Sequence, residues 1–122
     1  VTVRGFRFEI KQCQKLSTKN VTCYFTATNL QADRNLELYI SNGGNPSYLV
    51  DSGGMEVRAR SGTLGSKGGG NYLDTDAVTD VTIRGSLEFD VGDPHATSIA
   101  KLSIGFEAPE KFRVEFRKIP LE

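Results

Sequence analysis

Apolar and polar residues alternate with a period of two along most of this chain, and no apolar stripe recurs with helical spacing. Phe6, Phe8 and Ile10 are interleaved with Arg7 and Glu9, and Leu36, Leu38 and Ile40 with Glu37 and Tyr39. The pattern returns at Met55, Val57 and Ala59, at Leu87, Phe89 and Val91, at Leu102, Ile104 and Phe106, and at Phe112, Val114 and Phe116. Successive strand side chains point to opposite faces, so each segment buries one parity and solvates the other. Strands are expected near 3–12, 20–29, 35–41, 47–50, 55–60, 79–84, 86–91, 98–106 and 111–119. Turn-forming runs separate them at Ser41 to Pro46, Asp51 to Gly54 and Val91 to Pro94. Many short strands without crossover helices predict an all-β fold, an antiparallel β-sandwich of two sheets with about 7–9 strands. The 122 residues suit a single domain spanning 1–122.

Lys plus Arg and Asp plus Glu both number 15, so no overall field draws the chain to nucleic acid or to an anionic membrane. The charge is nonetheless unevenly placed. Residues 1–34 carry six basic groups against Glu9 and Asp33, while residues 74–93 carry six acidic groups against Arg84 alone. The simpler expectation is that these segments lie side by side and neutralise one another; the alternative is a docking dipole. No apolar run approaches the roughly 18 residues of a membrane span. A start at Val1 suits a mature protein whose signal peptide has been removed.

Cys13 and Cys23 are too far apart for a redox pair and too few for a structural zinc site, which leaves a disulfide and an oxidising compartment. A hairpin turning near Thr18 sets Cys13 opposite Cys23, Lys11 opposite Phe25 and Glu9 opposite Ala27. The parities then conflict, because Cys13 falls with Arg7, Glu9 and Lys11 while Cys23 falls with Val21 and Phe25. A bulge near Lys11 or Gln12 reconciles them.

The run Val21 to Leu30, ending Thr28-Asn29-Leu30, then Asp33 to Leu36, then Leu49-Val50-Asp51-Ser52-Gly53-Gly54, resembles small immunoglobulin-like domains of unknown function. Such domains occur in secreted proteins and lipoproteins of bacteria, including cyanobacteria. There, a strand ending in Thr-Asn is followed by a partner strand and a hairpin of pattern Leu-x-Asp-x-x-Gly. Leu49, Asp51 and Gly54 match that turn, and Phe112 to Leu121 is similar to the last strand. The resemblance implies an immunoglobulin-like sandwich and a secreted, periplasmic or cell-envelope module, with no chemistry to carry over. Independently of it, Asp51 can accept hydrogen bonds from backbone groups two residues on, and Gly53 or Gly54 can take the left-handed conformation.

The remaining candidates each have a plainer reading. Ser61 to Asp74 contains five glycines and is expected to be a long irregular loop, mobile or held by a ligand or neighbouring chain. Its Gly62 to Gly68 portion lacks the spacing and following helix of a phosphate-binding loop. Asp74, Asp76 and Asp80 could gather oxygens around calcium, although an EF-hand's other ligands are missing, and solvated carboxylates are the simpler reading. His95, the only histidine, is expected in a surface turn after Asp93-Pro94, with no catalytic partner evident. Tyr24, Tyr39, Tyr48 and Tyr72 could form a sugar- or peptide-binding platform, although the absence of Trp weakens the sugar version. Tyr24 and Tyr39 are expected either to face outward together or to pack beneath a covering loop, and a purely structural role is the simpler reading. The expectation is a non-enzymatic extracytoplasmic binding or accessory module without a cofactor, contacting a protein partner or itself through loops or a sheet edge. The alternative is a calcium- or small-ligand-binding domain using residues 61–80.

Overall fold

Eleven strands and no helix organise the chain in a computed structural model that describes residues 1–122. They are β1 (Thr2–Val3), β2 (Phe6–Lys15), β3 (Asn20–Asn29), β4 (Arg34–Tyr39), β5 (Tyr48–Asp51), β6 (Glu56–Leu64), β7 (Lys67–Gly69), β8 (Tyr72–Ala77), β9 (Thr82–Asp90), β10 (Ser98–Glu107) and β11 (Lys111–Pro120). Neighbours follow the order β1, β2, β3, β9, β6, β5, β10, β4, β8, with β7 added to β6 and β11 to β10, and every strand pair is antiparallel.

Two departures from expectation concern the count and the connection of the sheets. There are eleven strands rather than 7–9, and the hydrogen-bonded ladder is one continuous sheet rather than two. β6 makes the connection: Glu56 to Arg58 pair with β5, and the register shifts between Ala59 and Ser61 as the strand passes over to β9. The sheet doubles over so that both halves share a core of 26 buried residues. Phe8 of β2 and Phe106 of β10 meet across it with ring centroids 4.7 Å apart, and Phe25 of β3 meets Phe106 edge-on at 5.8 Å.

The glycine-rich stretch is also more regular than a loop. β6 runs on to Leu64, turns through Gly65 at φ 61°, and pairs with β7 before the chain enters β8. Similarly, 79–84 and 86–91 are not two strands. β9 passes straight through Gly85, where a Cβ would stand 2.3 Å from the Phe25 ring, so this glycine makes room for an aromatic rather than marking a turn.

β2 and β3 form the hairpin that holds the disulfide. Ile10 lies opposite Phe25 and Phe8 opposite Ala27, and the register shifts between Ile10 and Gln12, leaving Lys11 as the extra residue. The pairings Lys11 with Phe25 and Glu9 with Ala27 are therefore corrected by one residue. The bulge turns Cys13 inward, where it bonds to Cys23, both fully buried.

β4 and β5 pair with successive lengths of β10, Gly105 to Glu107 and Ile99 to Ser103. Residues 40–47 leave the ladder between them and fold against Gly105, where an added Cβ would be 2.0 Å from the Asn45 carbonyl oxygen. The buried Asn45 donates to the carbonyls of Phe106 and Phe112 and accepts from Arg113 Nη1 at 2.6 Å. Arg113 also donates to Ser103 Oγ and to the Pro46 carbonyl. Ser47 Oγ donates to the Tyr39 carbonyl and accepts from Gly105 N. The interruption thus carries its own polar partners into the interior, as burial of such groups requires.

Candidate functional site

β11 is an edge strand, as are β1, β7 and β8, and it is the longest of the four. Toward β10 it pairs from Lys111 opposite Glu107 to Pro120 opposite Ser98, and it sends Phe112, Val114 and Ile119 into the core. The inward parity changes from even to odd at Lys118, whose φ is 55°, so that Ile119 rather than Lys118 is buried. On its other side, residues 111–118 have no strand partner. Only beyond them does the chain find one. Glu122 N donates to the Cys13 carbonyl and Lys15 N to the Glu122 carbonyl, both at 3.0 Å, a parallel contact beside the disulfide. A slit of about 190 Å³ separates Ile10 to Gln12 of β2 from Arg117 to Pro120 of β11. An open edge of this kind presents unpaired backbone donors and acceptors that a further strand can pair with.

The residues singled out from the sequence are dispersed. Asp51 is buried; its Oδ1 accepts from Gly53 N and Met55 N and its Oδ2 from Asp93 N, at 2.8 to 3.0 Å, while Gly54 has φ 83°. Leu49 is buried in the core. Asp51 therefore ties two turns together. His95 is exposed, its backbone N donating to Asp93 Oδ1. Asp74 and Asp76 lie on β8, where Asp74 pairs with Lys67 at 3.6 Å, and Asp80 sits beyond the strand in a turn at φ 64°. No three His, Cys, Asp or Glu side chains stand close enough together to hold a metal ion. Tyr24 and Tyr39 do not face outward together, because four strands, β9, β6, β5 and β10, lie between β3 and β4 in the order of the sheet, and Tyr39 is buried. Tyr39 instead packs on Tyr72, centroids 6.0 Å apart, and Tyr48 has Lys101 and Arg113 at 5.1 and 5.3 Å from its ring centroid.

Sequence reading also missed a carboxylate row. Glu107 of β10, Glu37 of β4 and Asp74 of β8 are register partners across three strands. Burial and the neighbouring Glu107 raise the Glu37 carboxyl above its usual range. Tyr39 donates to Glu107 at 2.8 Å, and burial, then that hydrogen bond, pushes its phenol up to about 12. Strand order alone creates this cluster, since its members are scattered along the chain.

The expected cancellation of the basic and acidic segments does not occur through ion pairs. Glu88 and Asp90 are met by Arg60, and Asp74 by Lys67, whereas Arg7 and Lys11 both turn to Glu9 and Arg4 to Glu110. No ion pair joins residues 1–34 to residues 74–93.

The sequence matches no family model and no curated protein. Among solved structures, the chain is similar to self-complemented MyfA, the major subunit of Myf fimbriae from Yersinia enterocolitica, with a TM-score of 0.53 and 9% identity. That likeness covers 96% of this chain and 98% of the other. The same subunit in complex with galactose matches at a TM-score of 0.51, again with 9% identity and the same coverage. At this identity the likeness is one of fold. No helix here is long and apolar enough to cross a membrane.

Proposed function

We propose that this chain is a non-enzymatic structural or accessory module of the bacterial cell exterior, which associates with a second copy of itself by strand addition at β11. The carrying observation is the unpaired outer side of residues 111–118, on a strand whose inner side pairs with β10 along its length apart from Lys118 and is anchored by Phe112, Val114 and Ile119. The likeness to a fimbrial major subunit supports a place outside the cytoplasm, and so does the Cys13–Cys23 disulfide. The doubled-over sheet and shared core support an immunoglobulin-like reading of the fold.

Light scattering after size exclusion, from about 10 μM to about 1 mM, tests this association in the micromolar to millimolar range. Mass is expected to rise with concentration while amides of 111–118 gain protection from hydrogen exchange. A constant monomer mass, with no gain of protection in β11, overturns the reading.

A further inference from the structure

On the outer face of β2, β3 and β9 the side chains differ in length in a way that makes a trough. β3 pairs with β2 on one side and β9 on the other, so Thr26 lies between Glu9 and Arg84, and Thr28 between Arg7 and Thr82. Short threonines form the floor; Arg7, Glu9 and Lys11 form one wall and Arg84 the other. The walls are two strand spacings apart, roughly 10 Å. The space between them is about 470 Å³, with the half-exposed Tyr24 on the same face.

The electrostatics of this trough differ from those of the chain as a whole. Its lining holds three cationic groups, Arg7, Lys11 and Arg84, against one carboxylate, in a chain whose net charge is +0. Glu9 is already engaged by Lys11 at 2.9 Å and Arg7 at 3.7 Å. Arg84 makes no side-chain hydrogen bond or ion pair, although its strand neighbours Glu88 and Asp90 both meet Arg60. A free guanidinium is a planar, directional donor suited to carboxylate or sulfate oxygens. The Thr28 and Thr82 hydroxyls bond to each other at 2.9 Å, which leaves Thr26 with the unengaged hydroxyl of the floor.

We propose that this trough binds an acidic oligosaccharide, with Arg84 and Arg7 on its anionic group, Thr26 on a ring hydroxyl and Tyr24 against a sugar face. The lining disfavours two other anionic partners, a peptide and a single-stranded nucleic acid. Its only apolar residues are Tyr24 and Phe25, and Phe25 is 1% exposed, so no pocket exists for the apolar anchor of a peptide. One tyrosine is too few for the successive stacking that holds a single-stranded nucleic acid. A negatively charged ligand that also bears hydroxyls matches the free Arg84 guanidinium and the unengaged Thr26 hydroxyl. The trough shares Lys11 with the slit beside β11, while Arg84, Thr26 and Tyr24 line the trough alone, so their substitution tests the trough and not self-association.

Amide chemical-shift titration, paired with calorimetry, uses four probes: tri-galacturonate, a sulfated galactotriose, neutral galactotriose, and a polyglutamate of matched charge. Tri-galacturonate or the sulfated sugar is expected to shift the amides of Arg7, Thr26 and Arg84, and the stronger of the two identifies the preferred anion. Arg84→Gln is expected to weaken that binding roughly tenfold, the loss of one charge-assisted contact. Arg58→Gln, which removes the same charge from an exposed position on β6, is expected to change it less than about twofold. Equal binding of the neutral sugar, equal binding of polyglutamate at the same amides, or equal loss in both variants overturns the proposal. So does the lack of any shift at about 10 mM, well above the millimolar affinities of weak sugar sites.

Discussion

The 40–47 interruption with its Arg113 partner and the trough beneath Arg84 both place arginine and short polar side chains on strands, yet they are opposites in satisfaction. Arg113 donates to Asn45, Pro46 and Ser103, and Asn45 uses both ends of its amide. Arg84 and Thr26 have hydroxyl and guanidinium neighbours but no partners of their own. A buried polar group must be satisfied within the protein, because water cannot reach it. An exposed one is free to wait for a ligand. The difference separates polar residues that hold this fold from those that are available to act.

Substitutions in the first region should cost stability and those in the second should not. The largest effect is expected from Gly105→Ala, whose new methyl group would collide with the Asn45 backbone; urea unfolding should show a loss of about 3 kcal/mol or more. Asn45→Ala removes one acceptor of the Arg113 guanidinium and the side-chain donor to two carbonyls, and should cost about 3 kcal/mol by the same measurement. Replacing Cys13 and Cys23 together by alanine should cost roughly 2–3 kcal/mol, with a mass gain of about 2 Da on reducing the wild-type protein as the check on the bond.

A smaller effect of opposite sign is expected in the carboxylate row. Glu37 stands between Glu107 and Asp74, and its carboxyl is raised first by burial and then by Glu107. The native state therefore holds this proton more tightly than the unfolded chain does. Stability should fall as pH rises from the unfolded carboxyl value through the raised native one. Glu37→Gln should stabilise the protein at pH 7 by about 0.5 kcal/mol and flatten that slope, which thermal unfolding between pH 4 and 7 would show. Arg84→Gln is expected to leave stability within about 0.5 kcal/mol of wild type, so any loss of ligand binding in that variant reports on the trough and not on folding.

Much of the fold was legible because a period of two needs only local information. The strand segments and the bulge that brings Cys13 onto the face of Cys23 follow from which parity is apolar on each side of one hairpin. Gly85 and the 61–74 stretch were misread for a common reason. Glycine weakens a strand in isolation, and only the approach of Phe25 to β9 or of β7 to β6 shows that a missing side chain is what the packing needs.

The candidate sites were far less legible. Glu37, Asp74 and Glu107 lie up to 70 positions apart and Lys11 and Arg84 lie 73 apart, and nothing local distinguishes them from solvated charges. Their outward parity could be read, but not which strands would be neighbours. The sequence by itself determined an all-β chain, its buried parities and a disulfide within one hairpin, since each rests on residues close in the chain. Tertiary structure alone decided that β3 would lie between β2 and β9, that β4 would lie between β8 and β10, and that β11 would keep an open side. Strand order is set by the joint burial of 26 side chains, a many-body condition that no single segment encodes.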